Sequence, residues 1–314
     1  MEKKNTPPFN YWPIINRPKL QMPNNARIAV WFGLNIESYE VDKPSTSIFP
    51  GTAMLAPDPL NYGWRDYGVR VGIWRMMKLF DKYGIKPSCL INSDVCINYP
   101  EIITEGNKRN WPWVAHGKNN STFQAKMIFE EEEKYLTEMV QTIQKHTGCM
   151  PKGWLGPALT ETFNTPAILA KLGLNYILDW CNDDQPYPLN EEIGRMISVP
   201  YSIELNDIPI FVGQSMSGEC FFQMLKDQFD QLYEEGAEQP RIMAIALHPF
   251  IIGQPFRIKY LEKFLEYVIG FESVWLTTSD EIAEWYLTNH YDQSLKLLNC
   301  TALNAEKNLL LNHV

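Results

Sequence analysis

Arg27-Ile-Ala-Val-Trp-Phe-Gly-Leu34 decides the fold of this chain. The stretch is short, apolar and β-branched, follows a turn-former, and reads as a buried strand rather than a helix segment. Beyond it the pattern alternates. Apolar residues at helical spacing over 71–83 stop at Gly84, and a strand follows at 86–91. The same reading gives helices at 100–108, 124–146, 165–171, 218–235, 258–269 and 279–288. It gives strands at 113–115, 152–155, 175–178, 195–199, 208–212, 242–247 and 273–276. Six or seven β-then-α units in a row imply a parallel sheet with helices outside. Without a Gly-rich phosphate fingerprint, a barrel is favoured over an open doubly wound sheet.

No repeat or linker interrupts the series, so one domain is expected, in three parts. Residues 1–26 form a Pro- and Asn-rich extended arm, 27–290 the barrel, and 291–314 a tail. The stretch 35–70, rich in Pro, Gly, Tyr and Asp, reads as one long functional loop.

The 314 residues, 45% of them hydrophobic, are enough for a sizeable core. A formal charge of −9, with both signs dispersed, argues against a nucleic-acid partner and otherwise signals only solubility. The N-terminus lacks the apolar region of a signal peptide, and no run is long enough for a membrane helix. The six cysteines (Cys89, Cys96, Cys149, Cys181, Cys220, Cys300) include no CxxC pair, which suits a reduced, cytoplasmic protein.

Barrel active sites gather where strands end. The first strand ends in Asn35-Ile-Glu37 and the third in His116-Gly-Lys-Asn-Asn120. Later strands end in Trp154-Leu-Gly-Pro157, in Asp179-Trp180 and in His248-Pro-Phe250. Taken singly, each has a plain structural explanation: a hydrogen-bonded histidine, a turn with a buried ring, a salt-bridging Glu37. Their convergence on one barrel mouth is what argues for a site.

The ordered set resembles the five motifs of the polysaccharide deacetylase (NodB-homology) family, across roughly residues 27–285. That resemblance implies a deformed (β/α)7 barrel, TIM-like in plan. In typical members the first motif carries two Asp, a base and a metal ligand, and the second is His-x-x-x-His. Here Asn35 and Glu37 stand at the Asp positions, Asn120 at the second His, and Leu155 where an Arg is expected. A zinc site needs about three strong protein ligands. Two further segments, Asp66-Tyr-Gly-Val-Arg-Val-Gly-Ile-Trp-Arg75 and His248-Pro-x-x-x-Gly253-x-Pro255-x-Arg257, resemble the branch of metal-independent allantoinases and cyclic imide hydrolases, as does the Trp12-Pro arm.

The expected activity is therefore hydrolysis of a non-peptide C–N amide bond in a small cyclic amide, imide or ureide. Glu37 with His116 would position and deprotonate water, and His248, by the resemblance, would be the acid to the leaving nitrogen. Asn35 or Asn120 would hold the substrate carbonyl, with Trp180 as a further polar liner. Trp154, Tyr62, Trp64, Trp111 and Phe250 either line an aromatic pocket or belong to the core. Arg70, unfavourable at a helix start, needs a partner in Glu37 or a substrate oxyanion. Arg75 reads as structural, and Asp183-Asp184 as an arginine partner, a cation site or a solvated turn.

No cofactor is expected. The alternative keeps a divalent metal such as zinc on Glu37, His116 and either Asn120 or Asp94, as in a deacetylase of N-acetyl sugars. A third reading is a barrel that binds a carbohydrate or metabolite without catalysis. The partners expected are a small-molecule substrate and further copies of the chain in a homo-oligomer.

Overall fold

In a computed structural model, which describes residues 6–298, β1 (Ile28–Ile36) is buried at all nine positions. Such a strand has neighbours on both edges and cover on both faces, hence its near-continuous apolar run. One edge pairs with β8 (Arg241–Leu247), from Ile28–Arg241 to Leu34–Leu247. The other edge is shared. Its first half pairs with β9 (Val274–Thr277) and its second half with β2 (Ser88–Ile91), in register Gly33–Ser88 to Ile36–Ile91.

The parallel sheet continues through β3 (Trp113–Ala115), β4 (Gly153–Trp154) and β5 (Tyr176–Ile177) to β7 (Ile197–Ser198). The short β6 (Tyr187–Pro188) pairs antiparallel with β7 at the far edge. A bridge from Asn206 to Ala246 and the bond from the Ile242 amide to the Asp184 carbonyl bring this edge back to β8. The expected β/α series thus curls into a distorted seven-unit barrel.

Helices α1 (Pro59–Tyr67), α2 (Ile73–Tyr83), α3 (Ser93–Asn98), α4 (Pro100–Lys108) and α5 (Phe129–Thr147) surround one side. The others are α6 (Thr165–Lys171), α7 (Gly218–Glu235), α8 (Pro255–Val268) and α9 (Ser279–Asn289). Successive strand residues point to opposite faces. Ile28, Val30, Phe32, Leu34 and Ile36 pack in the cluster that includes the helix faces, while Ala29 and Trp31 join Leu90, Val114, Ile242, Ala244 and Ala246 in the barrel interior. This parity decides what reaches the mouth. Odd positions of β1 and even positions of β3 and β8 face inward, so Asn35, Glu37, His116 and His248 continue the inward rows.

Several expectations need correction. The stretch 35–70 is not all loop: α1 lies within it, started by the Asp58 side chain accepting from the Asn61 amide and by Pro59 in the first turn. A π-turn over Gly68–Gly72 joins α1 to α2. The expected strand at 208–212 is a π-helical turn, Pro209–Gly213; Pro209 supplies no amide for a sheet ladder and suits a helix start. The tail is partly ordered structure. Residues 291–298 are helical, with Tyr291 and Leu298 buried, while 299–314, and so Cys300, lie outside the described residues.

The arm lies on the body as expected, with Trp12, Leu20, Met22 and Ala26 buried. Arg17 pairs with Asp183, which decides the reading of that acidic loop in favour of an arginine partner. Among the described residues no helix is long and apolar enough to cross a membrane.

Candidate active site

The three proposed acid–base residues meet at one point. Glu37 Oε1 lies 3.4 Å from His116 Nε2 and 3.5 Å from His248 Nε2. The same oxygen accepts from the Asn120 side-chain amide, and Oε2 accepts from the Tyr39 hydroxyl. Three strand ends therefore deliver one carboxylate and two imidazoles to a cavity of about 380 Å³, within the range of small-molecule sites. Its polar wall includes Asn35, Asn120, Tyr201 and Asn206, its apolar wall Phe123, Leu155, Leu159 and Ile203. Among the described residues neither Lys nor Arg lines it.

Both histidines are oriented by their second ring nitrogen. His116 Nδ1 lies 2.7 Å from the Leu155 carbonyl oxygen. A carbonyl only accepts, so the ring donates from Nδ1 and turns Nε2 toward the cavity. His248 Nδ1 lies 2.6 Å from Asp207 Oδ1, and the His248 backbone amide donates to Asp207 Oδ2 at 2.8 Å. Asp207 is fully buried, so its carboxylate fixes both the main chain and the ring of His248.

Burial alone would push the His248 imidazole down, but the carboxylates of Asp207 and Glu37 outweigh it and raise its pKa to about 10. It is an imidazolium at neutral pH. Burial likewise opposes the charge of Glu37, and the charge and hydrogen bond of the neighbouring His248 outweigh it and hold the carboxyl far below the usual range.

The remaining candidates separate cleanly. Asn35 lines the cavity, yet its amide nitrogen is taken by the Tyr201 hydroxyl at 3.0 Å and the Leu247 carbonyl at 3.2 Å, so it braces the wall. Arg70 is corrected: its side chain is 73% exposed and pairs with Asp66 one helical turn back, away from the cavity. Trp154 has the wrong strand parity, packs in the helix-side core and does not line the cavity. Trp180 packs edge-on to Phe9 of the arm at 4.9 Å and is also outside it. Trp111 and Phe250 are core residues; Phe250 contacts Trp64 and the His248 ring. Arg75 is structural as expected, donating to Tyr67 and to the Gly253 carbonyl.

Asp207, Tyr39 and Tyr201 escaped the sequence reading. Asp207 stands immediately before the stretch 208–212 that reads as a strand, and only its Asn206-Asp207 turn chemistry hinted at a polar role.

The side chains of the metal alternative have other partners. Asp94 accepts from Asn119 at 2.9 Å and is not in the cavity wall. Asn120 presents its amide N–H to Glu37, while its oxygen accepts from Asn92 at 3.0 Å. Among the described residues no group of three His, Cys, Asp or Glu is arranged to hold an ion.

No family model matches the chain. It is 30% identical over 298 residues to the protein named "Putative polysaccharide deacetylase" of Schizosaccharomyces pombe, covering 85% of this chain and 92% of that one. Peptidoglycan deacetylase of Helicobacter pylori is 26% identical over 268 residues, 74% of this chain and 88% of that one. Among solved structures, Puue allantoinase superposes with a TM-score of 0.80 at 28% identity, covering 87% of this chain and 95% of that chain. With the first relative matched over nearly its full length, the chain belongs to the polysaccharide deacetylase family.

Proposed function

We propose that the chain hydrolyses a C–N amide bond in a small, uncharged cyclic amide, imide or ureide, without a metal. The observation that carries this reading is the filled coordination of Glu37. Where a metal would need open oxygen and nitrogen lone pairs, the carboxylate already accepts from Asn120 and Tyr39 and faces an imidazolium. A cavity without lysine or arginine suits a neutral ring better than an anionic substrate. The likeness to Puue allantoinase supports the same class.

The roles follow from charge and tautomer. Glu37 is too acidic to be the base, and its negative charge serves both imidazoles. His116 Nε2 takes a proton from water as the water oxygen bonds to the substrate carbonyl carbon. The His248 imidazolium stabilises the resulting oxyanion and passes its Nε2 proton to the nitrogen as the C–N bond breaks. The ring-opened product, which carries both the new carboxylic acid and the freed nitrogen, leaves, and solvent returns each histidine to its starting state.

Chelator-treated protein assayed against hydantoins, dihydropyrimidines, succinimide, allantoin and N-acetylated sugars tests this. Turnover of a cyclic amide is expected. Turnover of acetylated sugars alone, and only with added metal, would establish the deacetylase reading that the names of the relatives favour. Thermal-shift binding without turnover of any compound would identify a non-catalytic binding barrel.

A further inference from the structure

The two hydrogen bonds that flank the Leu155–Gly156 peptide are parts of one chain. The Leu155 carbonyl oxygen and the Gly156 amide belong to the same planar peptide group. The carbonyl accepts from His116 Nδ1 at 2.7 Å, and the amide donates to Asp179 Oδ1 at 2.6 Å. A peptide that donates at one end becomes a better acceptor at the other, because hydrogen bonds in series polarise one another. The geometry is tightly constrained, since a Cβ at Gly156 would sit 2.0 Å from the Thr160 carbonyl oxygen.

We infer that Asp179 is a positioning residue for His116. Acting through the Leu155–Gly156 peptide, it holds the ring proton on Nδ1 and keeps Nε2 as an acceptor toward the cavity.

A second observation explains how Asp179 is held. The Trp154 side chain hydrogen-bonds to it, and the Glu161 carboxyl, itself hydrogen-bonded by Trp180, lies against it. Burial, and then the neighbouring Glu161 carboxyl, push the Asp179 pKa well up; burial raises that of Glu161 to about 7. The two carboxyls and two indoles form an enclosed polar cluster behind the site. The strand-end Asp-Trp pair thus acts from outside the cavity, with Trp154 and Trp180 as neighbours of the carboxyls.

The inference rests on His116 as the base of the proposed hydrolysis, but its test needs no substrate. The full chain is labelled with 15N-histidine, and the His116 ring signals are assigned by their loss in His116→Gln. At alkaline pH the wild type should show protonated Nδ1 and bare Nε2. Asp179→Ala should give a mixture with protonated Nε2, and Asp179→Asn, which retains an acceptor oxygen, should restore the wild-type tautomer. On a turned-over substrate, Asp179→Ala should lower kcat at least about tenfold with KM nearly unchanged, and Asp179→Asn should recover most of it.

Wild-type His116 protonated at Nε2 would overturn the inference, even if Asp179→Ala fails to fold. So would folded Asp179→Ala with an unaltered tautomer. Absence of activity on every cyclic amide would count against the proposed function alone.

Discussion

At the residue scale, the proposed acid is His248, whose ring faces two carboxylates. His248→Ala should lose about 10²–10⁴-fold in kcat/KM, the usual worth of a positioned acid; near-full activity would remove it from the mechanism. Asp207→Asn asks a finer question. With Asp207 and Glu37 present the imidazolium persists to about pH 10, so activity should fall on the alkaline side as pH rises through that value. Removing one carboxylate weakens the hold on the proton, so this limb should move down toward neutrality in the pH–rate profile. An unmoved limb would mean that His248 does not set it. Glu37, His116 and His248 were legible because strand ends could be located and polar residues stand there. Asp207 was not, because a run such as Ile208-Pro-Ile-Phe-Val212 has the composition of a strand while its proline makes it a turn.

At the element scale, parity separates the strand-end residues that reach the cavity from those that do not. His116 and His248 continue the inward rows of Val114 and of Ala244 and Ala246, whereas Trp154 lies one residue short of the inward Leu155. A one-residue change reverses the face, and strands of two residues such as β4 show too little alternation to reveal it. The turn that follows β8 depends on a close backbone contact. A Cβ on Gly72 would sit 2.0 Å from the Pro249 carbonyl oxygen, and one on Gly253 would come within 2.8 Å of the Gly72 Cα. The π-turn before α2 therefore presses on the segment immediately after His248, giving the 66–75 and 248–257 signatures a joint structural purpose. Gly72→Ala should cost about 1–3 kcal/mol in urea unfolding, the range of overpacked sites, and should lower kcat by displacing the turn beside His248. Stability and kcat both at wild-type values would show that this contact is loose.

At the scale of the whole molecule, the order of β/α units was readable because every unit carries its own period. The closing contacts were not, being single bridges such as Asn206–Ala246 between distant residues. Buried ionisable groups on both sides of the barrel wall also give the fold a definite response to pH. Glu37 has a lowered pKa, so its contribution is present above about 4.5 and is lost as pH falls. Glu161 is raised from 4.5 to about 7: the folded state holds its proton more tightly, and stability falls as pH rises through that interval. His248, raised from 6.5 to about 10, continues the decline at higher pH with the same sign. Tm should therefore peak near pH 4.5–5, set by these shifts, and fall in two stages. Asp179 is raised with the same sign, so Glu161→Gln removes part of the first stage, and its Tm curve should be flatter than wild type between about pH 4.5 and 7. Calorimetry across this range on both proteins measures the difference. Equal slopes below pH 7 would show that Glu161 ionises as freely in the folded chain as in the unfolded one, and that the cluster behind His116 is open to water.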